Sequence, residues 1–345
     1  MRHHAPSPVA RCQSPIFIIG TERSGSNLLR LVLDSHSQIA IPHPPHFMRY
    51  FAPIAASYGD LTREPNRRAL VRDVLRLQRT HIHPWEVSID EDQVVSSASP
   101  SLFGVVAAVY EQYRIGAGKP RWGCKSTFMV DHVDQALDEY PAGRFVWLVR
   151  DPRDVAASAR RSVFSHFHPH LTALLWQEQQ VRAAAAQDAH GPARVHLLRY
   201  EDFVSRPREE VERLCRFLDV PLEPAMLTHD RSASARQTAS LSESWQNASR
   251  PVNASSVGRH AHGLSPEERA MVELAAGAMM TRLGYSIAAP AAFPAVPSML
   301  RVRALDLMMR LQVEWRSLRH DVNHWRRWSR DATVRWLQVK ARAAR

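Results

Sequence analysis

A glycine-bearing loop near the start of the chain contains the first residues that could bind a charged ligand. It follows the apolar run Ile16–Ile19 and reads GTERSGSN over residues 20–27. Gly20 and Gly25 have the spacing of phosphate-binding loops, in which backbone N–H groups at a helix N-terminus hold an anion. An ordinary turn between a strand and a helix can also contain glycine and serine. The pattern alone therefore predicts either a turn or an anion site.

The residues after Gly25 argue against a nucleoside triphosphate as the ligand. Such a ligand needs a lysine for its phosphates and a Ser or Thr hydroxyl for Mg²⁺, whereas this chain has Ser26 and Asn27 there. A less charged anion could be held without metal by the backbone amides together with Arg23, Ser24, Ser26 and Asn27. We therefore expect no metal at this loop.

A second basic motif lies at the end of another apolar run. The sequence RFVWLV is followed by RDPRDVAAS, which places Arg150 at a strand end and Ser158 eight residues later. An arginine there can donate bidentate hydrogen bonds to a phosphate, and the serine adds a further donor. Pro152 suits the first turn of a helix. The alternative is a surface salt bridge between Arg150 and Asp151.

The elements that must position these motifs alternate along the chain. Apolar runs without period-two alternation indicate strands of a parallel sheet with both faces covered, whose ligands bind beyond the carboxyl ends of the strands. We predict a P-loop-type three-layer α/β fold with a central parallel sheet and a basic helical C-terminal extension. The predicted strands are Pro15–Ile19, Arg121–Cys124, Arg144–Val149 and Arg194–Leu198. The predicted helices are Asn27–Asp34, Arg63–Arg79, Ser101–Tyr113, Met129–Glu139, Val155–Ser162, Leu171–Ala186, Arg208–Leu218 and Ser265–Leu283.

The remaining segments are predicted to be irregular or to separate domains. Proline and histidine interrupt Ile41–Phe51, and residues 231–263 are rich in small polar residues and predict a long loop. We divide the chain into a leader (1–14), a main domain (15–287), a linker (288–300) and a basic tail (301–345).

Composition and charge narrow the class of protein. The 345 residues are 45% hydrophobic and carry a net charge of +11, which suits anionic partners. Twelve Lys/Arg and four Asp/Glu in residues 301–345 account for +8 of this, so the main body carries little surplus and a nucleic-acid partner is not expected.

Three scattered cysteines indicate neither a disulfide framework nor a zinc site. The N-terminus lacks a signal-peptide pattern and no apolar run is long enough to span a bilayer, so we expect a cytoplasmic location.

Taken in order, the motifs resemble those of the sulfotransferases that use 3′-phosphoadenosine-5′-phosphosulfate (PAPS). Thr21–Leu29 is similar to the family's 5′-phosphosulfate loop, and Arg150–Ser158 to its 3′-phosphate motif. Leu197–Val220, with its Tyr-Glu-Asp sequence, and Arg250–Tyr285, with its RPVN sequence, resemble later family segments. The likeness spans roughly residues 15–285. Within the family, these motif sequences are most similar to those of tyrosylprotein sulfotransferases and of bacterial carbohydrate- or lipid-type sulfotransferases.

The resemblance implies a reaction and a set of roles. PAPS would donate a sulfuryl group to an acceptor hydroxyl or amine by in-line displacement, with 3′,5′-ADP as the product and no metal. Arg23 and Lys125 would neutralise charge on the leaving group. The donor would be bound by Arg23, Ser24, Gly25, Ser26, Asn27, Arg150, Ser158, Tyr200 and Arg259.

The general base is where the chain departs from the family. Related enzymes have a glutamate after the first helix or a histidine two residues past the lysine, where this chain has Thr127. A neutral imidazole can accept a proton near physiological pH. We take His43 as the first candidate, His46 as the second and His132 as the third.

The tail contains four tryptophans among its arginines, at positions 315, 325, 328 and 336. It is compatible with a helix at the surface of an anionic membrane, which would place the protein at the inner face of that membrane. It is also compatible with a helix docked on the body or on a second copy, or with a solvated arm.

Two other functions are open from the sequence. A P-loop kinase or NTPase shares the architecture, although the missing lysine disfavours it. A non-catalytic membrane-associated scaffold could retain a degenerate sulfotransferase fold, because the family's base is absent. The sequence does not identify the acceptor.

Overall fold

A computed structural model describes residues 10–160, 162, 166–241, 243–287, 298–321 and 323–343. Its centre is a five-stranded parallel sheet in the order β2-β3-β1-β4-β5. The strands are β1 (Ile16–Gly20), β2 (Ile39–Ala40), β3 (Arg121–Lys125), β4 (Arg144–Val149) and β5 (Val195–Arg199). β1, the first strand in the chain, is central in the sheet and is fully buried.

Helices cover both faces of the sheet, as the continuous apolar strands require. They are α1 (Ser26–Asp34), α2 (Phe47–Phe51), α3 (Glu64–Arg79), α4 (Glu91–Ser97), α5 (Leu102–Gly116), α6 (Val133–Glu139), α7 (Pro152–Ala159), α8 (Pro169–His190), α9 (Tyr200–Ser205), α10 (Pro207–Leu218), α11 (Pro224–Leu227), α12 (Ala233–Ser240), α13 (His260–Gly263), α14 (Pro266–Arg282), α15 (Met299–His320) and α16 (His324–Ala343). Short 3-10 helices occupy Ala52–Tyr58, Thr127–His132, His229–Arg231 and Glu243–Ser249.

The predicted fold class is confirmed, and the predicted strands match to within one or two residues. The capping box before α14 is present, because Ser265 Oγ accepts from Glu268 N and the Glu268 carboxylate accepts from Ser265 N. The two-residue strand β2 was missed, since its length is below what an apolar pattern reveals.

Two segments predicted to be irregular contain helices. α2 lies inside Ile41–Phe51, and α12 and α13 lie inside 231–263. α12 begins at a cap in which Ser232 Oγ accepts from Ala235 N, and its Thr238 Oγ1 accepts from the buried Arg30 at 3.0 Å. Tertiary contacts of this kind stabilise helices too short for their periodicity to be recognised.

The C-terminal helices are docked on the body. Leu337 and Ala341 of α16 are buried, and Lys340 pairs with Asp73 of α3. At the other end, Asp306 of α15 accepts the backbone N–H groups of Phe167 and His168, each at 2.8 Å. In the described residues no helix has the length and apolarity to cross a bilayer. Most of the predicted linker lies outside those residues, and the domain boundaries stay a prediction.

We predict that Leu337→Ala lowers the free energy of unfolding by about 2 kcal/mol or more, because it empties a buried site beneath α16. Val339→Ala, two residues away on the exposed face, should change it by less than about 0.5 kcal/mol. Urea unfolding followed by tryptophan fluorescence measures both. Equal, small effects would mean that α16 is not held on the body in solution.

Candidate functional site

The loop between β1 and α1 exposes backbone donors at the carboxyl edge of the sheet. Gly25 has a φ of 93° and no side chain caps the helix that follows it. Leu29 N donates to Gly25 O, so the N–H groups of Ser26, Asn27 and Leu28 lie outside the helical ladder and are available to an anion.

Glycine is required at position 25 for a steric reason as well. A Cβ there would lie 2.5 Å from the ring of Tyr200, the first residue after β5. Arg23 also has a left-handed φ of 71°, which turns the chain so that successive amides face one side. Ser24 Oγ is buried and has no hydrogen-bond partner among the described residues. The loop thus offers an unsatisfied donor beside its free amides.

Arg150 links this loop to the second motif. Its Nη1 donates to the carbonyl of Arg23 at 3.0 Å, its Nη2 donates to the carbonyl of Ser256, and its guanidinium lies 4.5 Å from the ring centroid of Tyr200. Its own carbonyl accepts from Trp176 Nε1 at 3.0 Å. Arg150 Nε is buried without a partner in the described part of the chain, so one donor of this cation remains available to an anion.

The two motifs also meet through Arg23 and Ser158. Arg23 Nε donates to Ser158 Oγ at 3.1 Å across 135 residues of sequence. Burial, with the nearby Arg150 cation, lowers the pKa of Arg23 to about 10. Two guanidinium groups held near each other favour an anionic ligand between them.

Asp154 is a functional residue that the sequence reasoning missed. It is 1% exposed, and its carboxylate accepts from Gly258 N and His260 N, each at 2.8 Å, and lies 3.0 Å from His260 Nδ1. Burial raises its pKa, but the hydrogen bonds from His260 outweigh this effect and the net shift is downward. Asp154 therefore fixes the loop that contains Arg259. Its position in the first turn of α7, four residues after Arg150, was the available signal.

Arg259 and Lys125 lie on opposite sides of the anion site. Arg259 is exposed, and its Nε donates to the carbonyl of Ser255 at 2.8 Å. Lys125 ends β3, and burial lowers its pKa to about 8, with further lowering by Arg30 and Arg23 and an opposing effect of Glu22. Both side chains line the same cavity as Arg23 and Arg150.

The candidate bases differ in their surroundings. The ring of His43 is buried against those of His83 and Trp245, at centroid distances of 5.0 and 4.8 Å. Its Nδ1 has no partner among the described residues. Burial, followed by the neighbouring His81 and His83, lowers its pKa far below the usual value.

His46 is oriented by a hydrogen bond. Its Nδ1 lies 3.0 Å from Oγ of Ser126, the residue after Lys125. Burial and then Lys125 lower its pKa strongly. Like His43, it lines the cavity, and the lowered pKa keeps both rings in the neutral form. His132 is not part of the lining formed by the described residues.

The cavity has a volume of about 1020 Å³ and is bounded on one side by the anion site. This volume lies at the upper end of the range for small-molecule sites. The opposite side is formed by α15 and α16, through Asp306, Arg310, Glu314, Arg327, Arg330, Asp331 and Arg335. In the part of the chain that the structure describes, no cluster of His, Cys, Asp and Glu could hold a metal ion.

Several relatives of this chain have names that state an activity, and the activity stated is that of a sulfotransferase. The protein-tyrosine sulfotransferase of Drosophila melanogaster is 24% identical over 282 residues, which are 78% of this chain and 51% of the fly protein. Protein-tyrosine sulfotransferase 1 of Danio rerio is 24% identical over 78% of this chain and 72% of its own length. An uncharacterized Aquifex aeolicus protein is 24% identical over 66% of this chain. The chain spans about a quarter of the Aquifex protein and half of the fly protein.

Solved structures share the fold. The sulfotransferase domain from the curacin biosynthetic pathway superimposes with a TM-score of 0.57 at 19% identity and covers 81% of this chain and all of its own. The sulfotransferase domain of the Synechococcus PCC 7002 olefin synthase has a TM-score of 0.56, also at 19% identity, over 80% of this chain and 97% of its own. A sequence model described as the sulfotransferase family matches residues 15–224. The chain therefore belongs to the sulfotransferase family.

Proposed function

We propose that this protein transfers a sulfuryl group from PAPS to a hydroxyl or amine of an acceptor and releases 3′,5′-ADP. The observation that carries the proposal is the bridge made by Arg150, which joins the amide-lined loop at residues 21–27 to Ser256 and Tyr200. A single ligand with phosphates at two ends of an adenosine would satisfy both sets of donors.

The residues present fit such a ligand, because buried donors at Ser24 Oγ and Arg150 Nε have no partner among the described residues. The phosphosulfate end would be bound by Arg23, Ser24, Gly25, Ser26 and Asn27. The 3′-phosphate would be bound by Arg150, Ser158 and Arg259, with Tyr200 beneath Arg150. PAPS supplies an activated sulfuryl group when bound. The chain supplies position and positive charge, as in phosphoryl transfer.

In the proposed step, an acceptor oxygen or nitrogen forms a bond to sulfur while the bond from sulfur to the bridging oxygen breaks. The bonding pair leaves on that oxygen, where Arg23 and Lys125 neutralise it. The acceptor proton passes to a histidine, His43 or His46. The contact between His46 Nδ1 and Ser126 Oγ favours His46, because in the tautomer whose Nδ1–H donates to this hydroxyl Nε2 is left to accept the proton.

The acceptor class is proposed only broadly, as carbohydrate, lipid or tyrosine. The names of the relatives support tyrosine as one candidate. We place the protein in the cytoplasm, with no nucleic-acid partner. Contact of residues 301–345 with the inner face of a membrane is also proposed.

Arg150→Ala should weaken binding of 3′,5′-ADP by roughly 30-fold or more, because a buried charge-assisted contact to phosphate is worth about 2 kcal/mol. Arg208→Ala removes an arginine from an exposed pair with Glu212 and serves as the control. Isothermal titration calorimetry measures both, with ATP as a second ligand.

Tighter binding of ATP by the unaltered protein would instead support a kinase or NTPase. Binding of 3′,5′-ADP without transfer from labelled PAPS to any acceptor in a cell extract would support a scaffold.

The affinity for 3′,5′-ADP should fall as the pH rises above about 8. Lys125 has a lowered pKa of about 8, so its cation is present below that pH and is lost above it. Loss of one coupled proton reduces affinity by up to about tenfold per pH unit, and the ligand's phosphates are already ionised there. In Lys125→Arg the decline should disappear between pH 7 and 9.5. A decline that persists in this variant would assign the effect to another group.

His46→Ala should reduce sulfate transfer by about 100-fold or more, as expected for loss of a general base, without changing the affinity for 3′,5′-ADP. His43→Ala should reduce transfer by less than about tenfold if His46 is the base. Transfer is measured as label from PAPS in the acceptor of a cell extract. The reverse order of the two variants would make His43 the base, and equal retention of transfer would exclude both.

A further inference from the structure

The outward face of α15 bears an apolar stripe that nothing in the described residues covers. It consists of Leu300, Leu307, Leu311, Trp315 and Leu318, at intervals of seven, four, four and three residues. These intervals place the side chains on one face of a helix. The opposite face contains the buried Val302 and Ser317. The exposed stripe therefore points away from the body.

α16 has a matching stripe. Trp325, Trp328 and Val339 are exposed, whereas the other face of the helix contains the buried Arg327, Leu337 and Ala341. Trp336 is also partly exposed, but Arg76 of α3 lies 4.3 Å from its ring centroid, so this side chain contacts the body. Across the two stripes the exposed fraction runs from 54 to 82%. Of the seventeen large apolar residues that are exposed in the described chain, twelve lie between Met299 and Val339. This concentration exceeds the scatter of single apolar residues that is normal on a protein surface.

The acidic residues of these helices are all engaged on the inner side. Asp306 caps the segment before α8, Glu314 and Asp321 pair with Arg327, and Asp331 pairs with Arg330. Their charges are thus turned toward the body and the cavity.

The arginines beside the stripes have no such partners. Exposed arginines at positions 301, 303, 316, 319 and 342 make no hydrogen bond or ion pair within the described residues. Arg319 stacks on Trp315 at 4.8 Å from the ring centroid. The outward surface of α15 and α16 is therefore apolar along its centre and carries a surplus of cationic side chains beside it, since Glu314 and Asp331 are partly exposed but each is paired with an arginine.

We propose that this surface, the stripes of α15 and α16 with their flanking arginines, docks on an anionic lipid bilayer. Tryptophan and leucine would enter the headgroup boundary, and the arginines would bind the lipid phosphates. A second copy of the chain fits less well, because it would bring arginine against arginine around the apolar centre. The helices lie on the bilayer and do not cross it. The proposal does not depend on the sulfotransferase reaction.

The test uses the full chain and large unilamellar vesicles of phosphatidylcholine, with or without 30% phosphatidylglycerol. We expect cosedimentation with the anionic vesicles, at least tenfold weaker cosedimentation with the neutral ones, and loss of binding in 0.5 M salt. Equal binding to both vesicle types, or no binding to either, would overturn the proposal.

Two pairs of variants locate the surface. Trp325→Ala/Trp328→Ala and Arg316→Glu/Arg319→Glu should each weaken binding to the anionic vesicles at least tenfold. The controls alter exposed residues of the body: Leu174→Ala/Val181→Ala for the apolar pair and Arg208→Glu for the charge. Circular dichroism and the thermal midpoint show that each variant is folded.

The second-copy alternative has a separate measurement. Light scattering after size exclusion, without lipid, should give a monomer for the unaltered chain. A dimer that becomes monomeric in Trp325→Ala/Trp328→Ala would assign the surface to self-association and would overturn the membrane proposal. Equal vesicle binding by the stripe variants and the body controls would overturn it as well.

Discussion

The site depends on two neighbouring guanidinium groups, that of Arg150, which is buried, and that of Arg23, which is half-buried. Arg150 donates to the carbonyl of Arg23, and the pKa of Arg23 is lowered by burial and by its neighbour's charge. Asp154 lies 3.8 Å from Arg150, but its oxygens already accept three hydrogen bonds from the loop at 258–260. Glu22 is the other nearby carboxylate, and its charge raises the pKa of Arg23 only in part against the effects of burial and of Arg150. Such a cluster is costly to bury unless an anion joins it. The arrangement is therefore specialised for a ligand with several negative charges.

The parallel sheet brings the members of this cluster together. Gly20, Lys125, Val149 and Arg199 are the last residues of β1, β3, β4 and β5. All four strands point the same way and are paired in register, with Gly20 opposite Leu148 and Val149 opposite Arg199. The residues that follow these strand ends must then emerge at one edge of the sheet. Motifs separated by more than a hundred residues of sequence thus form one site.

Local motifs of the fold and of the anion site could be predicted from the sequence, because glycine spacing and apolar strands are local signals. The long-range contacts of the site could not be predicted in this way. The bond from Arg23 to Ser158 spans 135 residues, that from Asp154 to the loop at 258–260 spans 104 or more, and that from His46 to Ser126 spans 80. Their partners have ordinary spacing in the sequence, and only the folded sheet shows which residues meet. The sequence placed His43 before His46, because the contact between His46 and Ser126 that favours the reverse order is one of these long-range contacts.

The cavity is formed by two parts of the chain. Arg23, Lys125, Arg150 and Ser158 lie within the region that matches the family, at residues 15–224, and so do His43 and His46. Arg259, Trp245 and the α15 and α16 residues of the opposite wall lie beyond it. A common donor imposes the same charges and distances on every enzyme that uses it, so its site can be recognised by motif. Acceptors differ in shape, so the cavity wall that contacts the acceptor differs from one enzyme to another. In this chain the helices that form the wall opposite the anion site also carry the apolar and cationic outer surface, so one pair of helices contributes to the proposed acceptor side of the cavity and to the proposed contact with the bilayer.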